Sequence, residues 1–179
     1  MRVLLVTANF RESYIDVERE HRTLQRLLQG TDNQLQVLPA AEIADLRQAL
    51  KTTREADGID ILHFSVHATL EDGLHLRGPG RTKDFLQAEQ LKILLKNTGI
   101  KLVVLNACES DALAIAASEV VPAAIGTTRL VRDVAARQFT RNFYEAIAEE
   151  STIRAAFEAA LEKQKPAATP AYMYAGIDL

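Results

Sequence analysis

A histidine and a cysteine, each at the end of an apolar segment, are the residues of this chain best suited to catalysis. His67 follows an apolar segment that begins at Ile59, and Cys108 follows one that begins at Lys101. Cys108 is the only cysteine among the 179 residues, so neither a disulfide within the chain nor a site with several thiolate ligands explains it. A thiol beside an imidazole has a lowered pKa and becomes a nucleophile. The two residue types therefore predict nucleophilic catalysis if the fold brings them together.

Segments typical of strands and of amphipathic helices alternate along the chain, which favours a single α/β domain over residues 1–179. We expect a mostly parallel sheet of about six strands with helices on both faces. An Asp-Gly turn within residues 69–76 predicts a small hairpin after the third strand. The predicted strands are residues 2–8, 34–38, 59–66, 101–107, 120–126 and 171–175. The predicted helices are residues 14–28, a helix from residue 43 to about residue 57, residues 88–97, 112–118, 133–149 and a last helix capped by Ser151.

The carboxyl ends of parallel strands are where such folds collect catalytic groups, and His67 and Cys108 follow two predicted strands. Side chains alternate between the faces of a strand, so His63, Ser65 and His67 should share one face. Asn106 and Cys108 should share a face by the same rule. If the third and fourth strands are neighbours, His67 and Cys108 can meet across one strand spacing.

The pair His63 and His67 has the spacing of two metal ligands on a helix. On an extended strand the same spacing separates the side chains by about 13 Å, too far for one ion. The apolar residues around them favour a strand, so we expect no metal site and a buried core role for His63. Glycine-rich nucleotide motifs and a serine hydrolase elbow are absent from the sequence, so we expect no cofactor.

Charge and hydropathy narrow the class of protein. The net charge is -3 with acidic and basic residues interspersed, which argues against a nucleic-acid partner. The longest apolar run is too short for a membrane span, and residues 1–6 are too short for a signal peptide. A lone free cysteine fits a reducing compartment. We therefore expect a cytoplasmic protein without membrane or nucleic-acid partners.

Residues 61–67 read Ile-Leu-His-Phe-Ser-Val-His, and residues 105–110 read Leu-Asn-Ala-Cys-Glu-Ser. These blocks resemble the two catalytic blocks of the CHAT-type peptidases, H-F-x-x-H-G and L-N-A-C-E-S. That family belongs to the caspase-like cysteine proteases, with caspases, metacaspases and separase. Residues 131–136 resemble the family's V-x-D-x-x-A segment, and the similarity continues at residues 121–126, 143–144 and 168–176. The resemblance covers roughly residues 59–176.

The resemblance implies a caspase-like three-layer sandwich and a cysteine endopeptidase that cleaves protein or peptide substrates in regulatory or signalling proteolysis. Cys108 would be the nucleophile that forms an acyl-enzyme, and His67 would be the general acid that protonates the leaving amine. The backbone N–H groups of Cys108 and Ala68 would form the oxyanion hole. The family also implies a sensor or activator domain, either fused or separate.

One residue departs from the family pattern, because Ala68 stands where the family has glycine after its histidine. This departure favours an alternative in which a caspase-like fold serves as an interaction or regulatory module with weak or no catalysis. The intact His67 and Cys108 favour the enzyme, which is the function we expect.

Substrate preference is predicted from the charges near the nucleophile. In caspase-like enzymes the residue two before the nucleophile lines the pocket for the substrate side chain that precedes the cleaved bond, and here it is Asn106. Glu109 and Asp111 would attract a basic side chain, whereas Arg129 and Arg132 would attract an acidic one. We predict a basic side chain because the acids are nearer to Cys108 in sequence. The predicted substrate-binding residues are Asn106, Glu109, Asp111, Arg129 and Asp133.

Overall fold

The computed structural model describes residues 1–52, 58–80, 82–149, 152–164 and 171–177, which contain nine strands and six helices. The strands are β1 (Arg2–Thr7), β2 (Gln34–Leu38), β3 (Ile61–Ser65), β4 (Ala68–Thr69), β5 (Gly73–Arg77), β6 (Lys83–Leu86), β7 (Leu102–Asn106), β8 (Ala123–Thr127) and β9 (Tyr172–Gly176). The helices are α1 (Val17–Leu28), α2 (Ile43–Thr52), α3 (Ala88–Leu95), α4 (Asp111–Ser118), α5 (Asp133–Ala146) and α6 (Ile153–Lys163).

Six strands form one sheet in the order β2-β1-β3-β7-β8-β9. The first five are parallel, and β9 pairs antiparallel with β8, which confirms the expected mostly parallel six-stranded sheet. β3 and β7 are direct neighbours in the centre of the sheet, and their register runs from Ile61 opposite Leu102 to Ser65 opposite Asn106. The adjacency that the predicted site required is therefore present.

Two apolar cores, one on each face of the sheet, give the chain three layers. Helices α2, α3 and α4 pack on one face, where they meet Phe64 and Val66. Helices α1, α5 and α6 pack on the other face, where they meet Ile61. This alternation confirms the predicted faces of β3, because burial of alternate residues on opposite faces is what a covered strand requires. Within the described ranges, no helix is both long and apolar enough to cross a bilayer.

A second, small sheet of β4, β5 and β6 follows β3 along the chain. Its first two strands are the predicted hairpin, with Gly73 at the turn. Gly73 has φ +79°, and a Cβ there would lie 2.4 Å from the carbonyl oxygen of Leu86, so only glycine fits. β6 was not predicted, because only Phe85 and Leu86 of its four residues are apolar and Phe85 is 36% exposed. The structure thus extends the hairpin by one strand.

The last two helices differ from their predicted limits. α5 ends at Ala146, three residues before the predicted end. Thr152 caps α6 and accepts a hydrogen bond from the Ala155 N–H at 3.1 Å, whereas the predicted cap, Ser151, lies outside the described residues. Residues 166–170, which two prolines predict to be a linker, also lie outside them.

Candidate functional site

A cleft of about 100 Å³ lies at the carboxyl edge of β3 and β7, and both His67 and Cys108 line it. Ser65 and Asn106 are the last registered pair of the two strands. His67 lies two residues after Ser65, and Cys108 lies two residues after Asn106. Parallel strands bring their carboxyl ends to the same edge, which is why residues 41 positions apart in sequence share one cleft. The expected adjacency of the two strands is confirmed. The pairing of His67 and Cys108 as catalytic partners stays a prediction.

The imidazole of His67 is held by a backbone carbonyl. Its Nε2 lies 2.8 Å from the carbonyl oxygen of Ser13, in the connection between β1 and α1. A carbonyl only accepts hydrogen bonds, so Nε2 carries a hydrogen and the ring orientation is fixed. Nδ1 is then the ring nitrogen left for proton transfer.

The thiol of Cys108 is half-buried and contacts the backbone of Val131. The Val131 N–H donates to Sγ at 3.4 Å, and Sγ lies 3.7 Å from the Val131 carbonyl oxygen. The backbone of one residue therefore both donates to this sulfur and accepts from it, which fixes the position of Cys108 Sγ beside the cleft.

The loop that carries Cys108 is fastened to β8 by two buried hydroxyls. Ser110 Oγ donates to the carbonyl of Ala107 at 2.8 Å and accepts from the Thr127 N–H at 3.0 Å. Thr127 Oγ1 donates to the same carbonyl at 2.6 Å. Glu109, between Cys108 and Ser110 in sequence, adopts the left-handed region with φ 50°, an uncommon conformation for a residue with a side chain. The backbone on both sides of the sulfur is thus held in one conformation.

Beneath the cleft lies a buried carboxylate that the sequence analysis did not identify as a site residue. Glu20 on α1 is 3% exposed and lines the cleft together with His67 and Cys108. Its oxygens accept hydrogen bonds from His63 Nε2 at 3.0 Å, Asn106 Nδ2 at 2.7 Å, Thr140 Oγ1 at 2.6 Å and the Ser65 hydroxyl. One side chain on a helix therefore connects β3, β7 and α5.

The network continues through two buried tyrosines. The Tyr144 hydroxyl lies 3.2 Å from His63 Nδ1, and the Tyr172 hydroxyl donates to Asn106 Oδ1 at 3.0 Å. Burial, reinforced by the charge of Glu20, raises the pKa of both tyrosines well above the usual range, so both keep their protons. His63 is fully buried with both ring nitrogens bonded, which confirms its predicted place in the core.

The pKa of Glu20 reflects a competition between burial and hydrogen bonding. Burial is the largest influence and by itself would raise the pKa of this carboxyl. The hydrogen bond and charge of His63, followed by the hydroxyls of Ser65 and Thr140, outweigh burial and hold the pKa below its ordinary value. Glu20 is therefore a buried carboxylate that stays ionised at neutral pH.

The five predicted substrate-binding residues are not all brought together. Asn106 and Asp133 line the cleft. Glu109, Asp111 and Arg129 are not among the described residues that line it. The Asn106 amide donates to Glu20 and accepts from Tyr172, so its polar atoms are already bonded within the protein.

The three acidic residues of this set and Arg129 have positions of their own. Asp133 pairs with Arg137 one turn later on α5. The Glu109 N–H donates to the Arg129 carbonyl at 3.4 Å, and Asp111 is the first residue of α4. Proximity to Cys108 in sequence therefore does not place a side chain in the cleft.

Ala68 begins β4 and pairs with Leu74 of β5. It is buried, and its φ lies outside the positive range that the described residues Ala40, Asn97 and Glu109 adopt. An alanine is unstrained in this extended conformation, so the replacement of the family glycine imposes no backbone penalty here.

The sequence did contain a signal for Glu20. Val17, Glu20, Leu24 and Leu28 are the buried residues of α1, and their spacing of three and four places them on one helix face. A carboxylate on an otherwise apolar, inward face needs buried partners, which is the mark of a functional or structural polar site. Ser13 and Val131, which act through backbone atoms, left no comparable signal.

No group of three or more His, Cys, Asp and Glu side chains placed to hold a metal ion occurs in the part of the chain that the structure describes.

Comparison of the sequence with known proteins identifies the family to which this chain belongs. The sequence model of the CHAT domain matches residues 6–169. A protein of Gillisia limnaea named "Probable protease" is 29% identical over 150 residues, which cover 81% of this chain and 26% of that protein. The chain thus spans about a quarter of the length of that curated relative.

Three solved structures share the fold at low sequence identity. The Drosophila initiator caspase Dronc gives a TM-score of 0.66 at 10% identity, covering 98% of this chain and 79% of that one. Caspase-1 from Spodoptera frugiperda gives 0.64 at 14% identity, covering 98% and 87%. The Arg-specific cysteine proteinase gingipain R gives 0.64 at 13% identity, covering 91% and 41%. The caspase-like three-layer fold expected from the sequence is confirmed.

Proposed function

The chain belongs to the CHAT domain family, and from that premise we propose that residues 1–179 form one peptidase domain, a cysteine endopeptidase with Cys108 and His67 as its catalytic dyad. The observation that carries the proposal is the shared cleft. Two side chains suited to acyl transfer line it from the ends of adjacent strands, one imidazole anchored by a carbonyl and one thiol that accepts an N–H hydrogen bond.

In the first step the Cys108 thiolate attacks the carbonyl carbon of the scissile peptide bond and forms a carbon–sulfur bond. The carbon–nitrogen bond then breaks, and the His67 Nδ1–H gives its proton to the leaving amine. A water molecule attacks the resulting thioester, its proton passes to His67, and the thiolate leaves. Release of the amine and hydrolysis of the thioester each move one proton, in opposite directions, and His67 ends the cycle protonated as it began.

The negative oxygen of each tetrahedral intermediate needs preorganised donors. We assign this role to the backbone N–H groups of Cys108 and Ala68, which border the two ends of the dyad in sequence. The unstrained backbone of Ala68 supports this assignment, because the N–H of an alanine serves as well as that of a glycine when φ is negative.

The proposal includes a preference for a basic side chain before the cleaved bond. Its support comes from residues other than Glu109 and Asp111, the acids nearest to Cys108 in sequence. Glu20 and Asp133 line the cleft, and no lysine or arginine is among its described lining residues. Negative charge concentrated in a cleft attracts a cationic group. Asn106, Glu109, Asp111 and Arg129 stay secondary candidates for contact with the rest of the substrate.

Regulatory or signalling proteolysis in the cytoplasm, under a fused or separate sensor or activator domain, completes the proposal. The support for a fused domain is that the matched region covers only 26% of the Gillisia limnaea relative.

A peptidyl acyloxymethyl ketone with arginine at its reactive end tests the proposal directly, because only an activated thiol beside a general acid reacts with it rapidly. We expect stoichiometric labelling of the wild-type protein and none of Cys108→Ala. Wild-type protein that is folded yet unlabelled, with this ketone and with a neutral analogue, would replace the proposal by the alternative, a non-catalytic interaction module.

A further inference from the structure

We propose that Glu20 is a positioning residue, whose carboxylate fixes the ends of β3 and β7 and so sets the separation of His67 and Cys108. The inference rests on the proposed peptidase function, and it adds a residue that neither the sequence blocks nor the catalytic chemistry identified.

The geometry behind this inference is a bridge of two hydrogen bonds. One carboxylate oxygen accepts from Ser65, two residues before His67, and the other accepts from Asn106 Nδ2 at 2.7 Å, two residues before Cys108. Ser65 and Asn106 are also the last registered pair between the two strands. Glu20 therefore links the two strands through side-chain hydrogen bonds at the point where their backbone pairing ends.

The carboxylate itself is held in place from three directions. Leu24 and Leu28 pack the same face of α1 into the core on that side of the sheet, and Val17 of that face is also buried, so the helix cannot shift easily. Thr140 on α5 donates to the carboxylate at 2.6 Å, and His63 donates at 3.0 Å from deeper in β3. A side chain with this many fixed partners has one conformation, which is what a positioning role requires.

The same hydrogen bonds argue against direct contact between Glu20 and a substrate. An ionised carboxylate offers about four acceptor sites. Three protein donors saturate one oxygen, the Ser65 hydroxyl bonds the other, and Glu20 is only 3% exposed. The charge of Glu20 still acts on the cleft at a distance, but its contacts serve the protein.

Two substitutions separate the bridge from the charge. Glu20→Gln keeps an oxygen for His63, Asn106 and Thr140, while its amide can donate to the Ser65 hydroxyl, which can accept. Glu20→Ala removes bridge and charge together. Loss of charge acts on the binding of a basic substrate and changes KM in both variants, whereas loss of the bridge changes kcat only in the alanine variant.

The measurement is kcat for a fluorogenic peptide with arginine before the cleaved bond. We expect kcat of Glu20→Ala to fall about a hundredfold, because a misplacement of about 1 Å in a dyad costs that much. We expect Glu20→Gln to stay within about threefold of the wild type. A folded alanine variant with wild-type kcat would overturn the inference, and so would a glutamine variant that loses as much as the alanine variant.

Glu18→Gln is the matched control, since Glu18 lies on the same helix, is exposed, and bonds only the Tyr14 hydroxyl among the contacts described, at 2.9 Å. We expect it to leave kcat unchanged. If Glu20→Ala does not fold, Ser65→Ala decides, because it removes only the β3 side of the bridge. A loss of about tenfold in kcat would support the inference, and an unchanged kcat in folded protein would contradict it.

A second readout keeps the inference separate from the proposed function. The rate of Cys108 alkylation by iodoacetamide near neutral pH depends on the thiolate fraction that a correctly placed His67 supports, and it needs no peptide turnover. We expect Glu20→Ala to slow alkylation severalfold relative to Glu20→Gln and Glu18→Gln. A wild type that cleaves nothing contradicts the peptidase proposal alone, while equal alkylation rates in all variants contradict the positioning role.

Discussion

At the scale of single residues, two histidines four positions apart have different environments because of their depth. His63 is fully buried, and both of its ring nitrogens are bonded to Glu20 and Tyr144. His67, four residues later, has one nitrogen bonded to the Ser13 carbonyl and lines the cleft. Only the second can exchange a proton with a substrate, because the first has no access to one.

This difference predicts separate results for three alanine variants. Cys108→Ala should abolish peptide cleavage, and His67→Ala should lower kcat/KM by about 10²–10⁴ because the leaving amine loses its proton donor. His63→Ala should mainly destabilise the fold, by about 1–3 kcal/mol, because it leaves buried partners unbonded. Cleavage assays together with urea unfolding measure both effects. Equal loss of kcat/KM at His63 and His67 in folded protein would mean that the general acid is assigned to the wrong histidine.

The lowered pKa of Glu20 predicts how stability depends on pH. Because the pKa of its carboxyl is lower in the folded than in the unfolded state, ionised Glu20 stabilises the fold fully above the unfolded value of about 4.3. That contribution is lost as the pH falls from there through the folded pKa. The free energy of unfolding of the wild type should therefore decrease between pH 5 and pH 3, at most about 1.4 kcal/mol per pH unit from this group.

Urea unfolding of Glu20→Gln over the same range is the comparison that isolates Glu20, since the lowered pKa of Asp60 adds a background slope to every variant. We expect the glutamine variant to show a shallower slope and Glu18→Gln to keep the wild-type slope. Identical slopes in all three proteins would show that Glu20 is not held ionised by the fold.

At the scale of elements, the nucleophile depends on the junction of β7, α4 and β8. Ser110 is fully buried and joins all three, since it precedes α4, donates to the Ala107 carbonyl and accepts from the Thr127 N–H. A Cβ at Gly126 of β8 would lie 2.7 Å from the Ser110 carbonyl oxygen, so the strand and the helix approach as closely as glycine allows. This packing determines where the Cys108 loop lies.

Ser110→Ala tests the junction. Loss of the hydroxyl leaves the buried Thr127 N–H without its partner, which should destabilise the fold by about 1–3 kcal/mol in urea unfolding. Ser118→Ala on the same helix is the control, because Ser118 Oγ donates to the Ile115 carbonyl at an exposed position. It should change stability by no more than about 0.5 kcal/mol. Equal effects of the two substitutions would argue that the buried bond is not what holds the loop.

The elements that the sequence predicted are those whose apolar pattern is strong. β3 and β7 are continuous apolar runs because both faces of the sheet are covered, and their neighbours in sequence, His67 and Cys108, were identified with them. β6 was missed because half of its residues are polar and its pairing with β5 is decided by tertiary contacts. The positions of Ser13 and Val131 were also beyond prediction, since backbone groups act through the path of the chain and not through residue type.

At the scale of the whole molecule, the cleft collects groups from widely separated parts of the chain. The connection before α1 contributes Ser13, α1 contributes Glu20, and the start of α5 contributes Asp133. The net charge of the chain is only -3, so the negative character of the cleft comes from this arrangement and not from composition. The two acids also differ in depth, because Glu20 is buried and the side chain of Asp133 is 40% exposed.

The burial of the acidic side chains in the cleft predicts how the substrate preference responds to salt. A peptide with arginine before the cleaved bond should be cleaved with a higher kcat/KM than the same peptide with citrulline, its neutral isostere, because only arginine gains from the negative cleft. Screening lengths shrink from about 10 Å at 0.1 M salt to about 3 Å at 1 M, and buried charges are screened much less than exposed ones. If Glu20 supplies most of the attraction, the arginine-to-citrulline ratio should persist at 1 M salt and fall in Glu20→Gln. A ratio that collapses at high salt would instead assign the preference to acids nearer the surface, such as Asp133, Glu109 and Asp111. A preference for aspartate or large apolar side chains would contradict the basic specificity altogether.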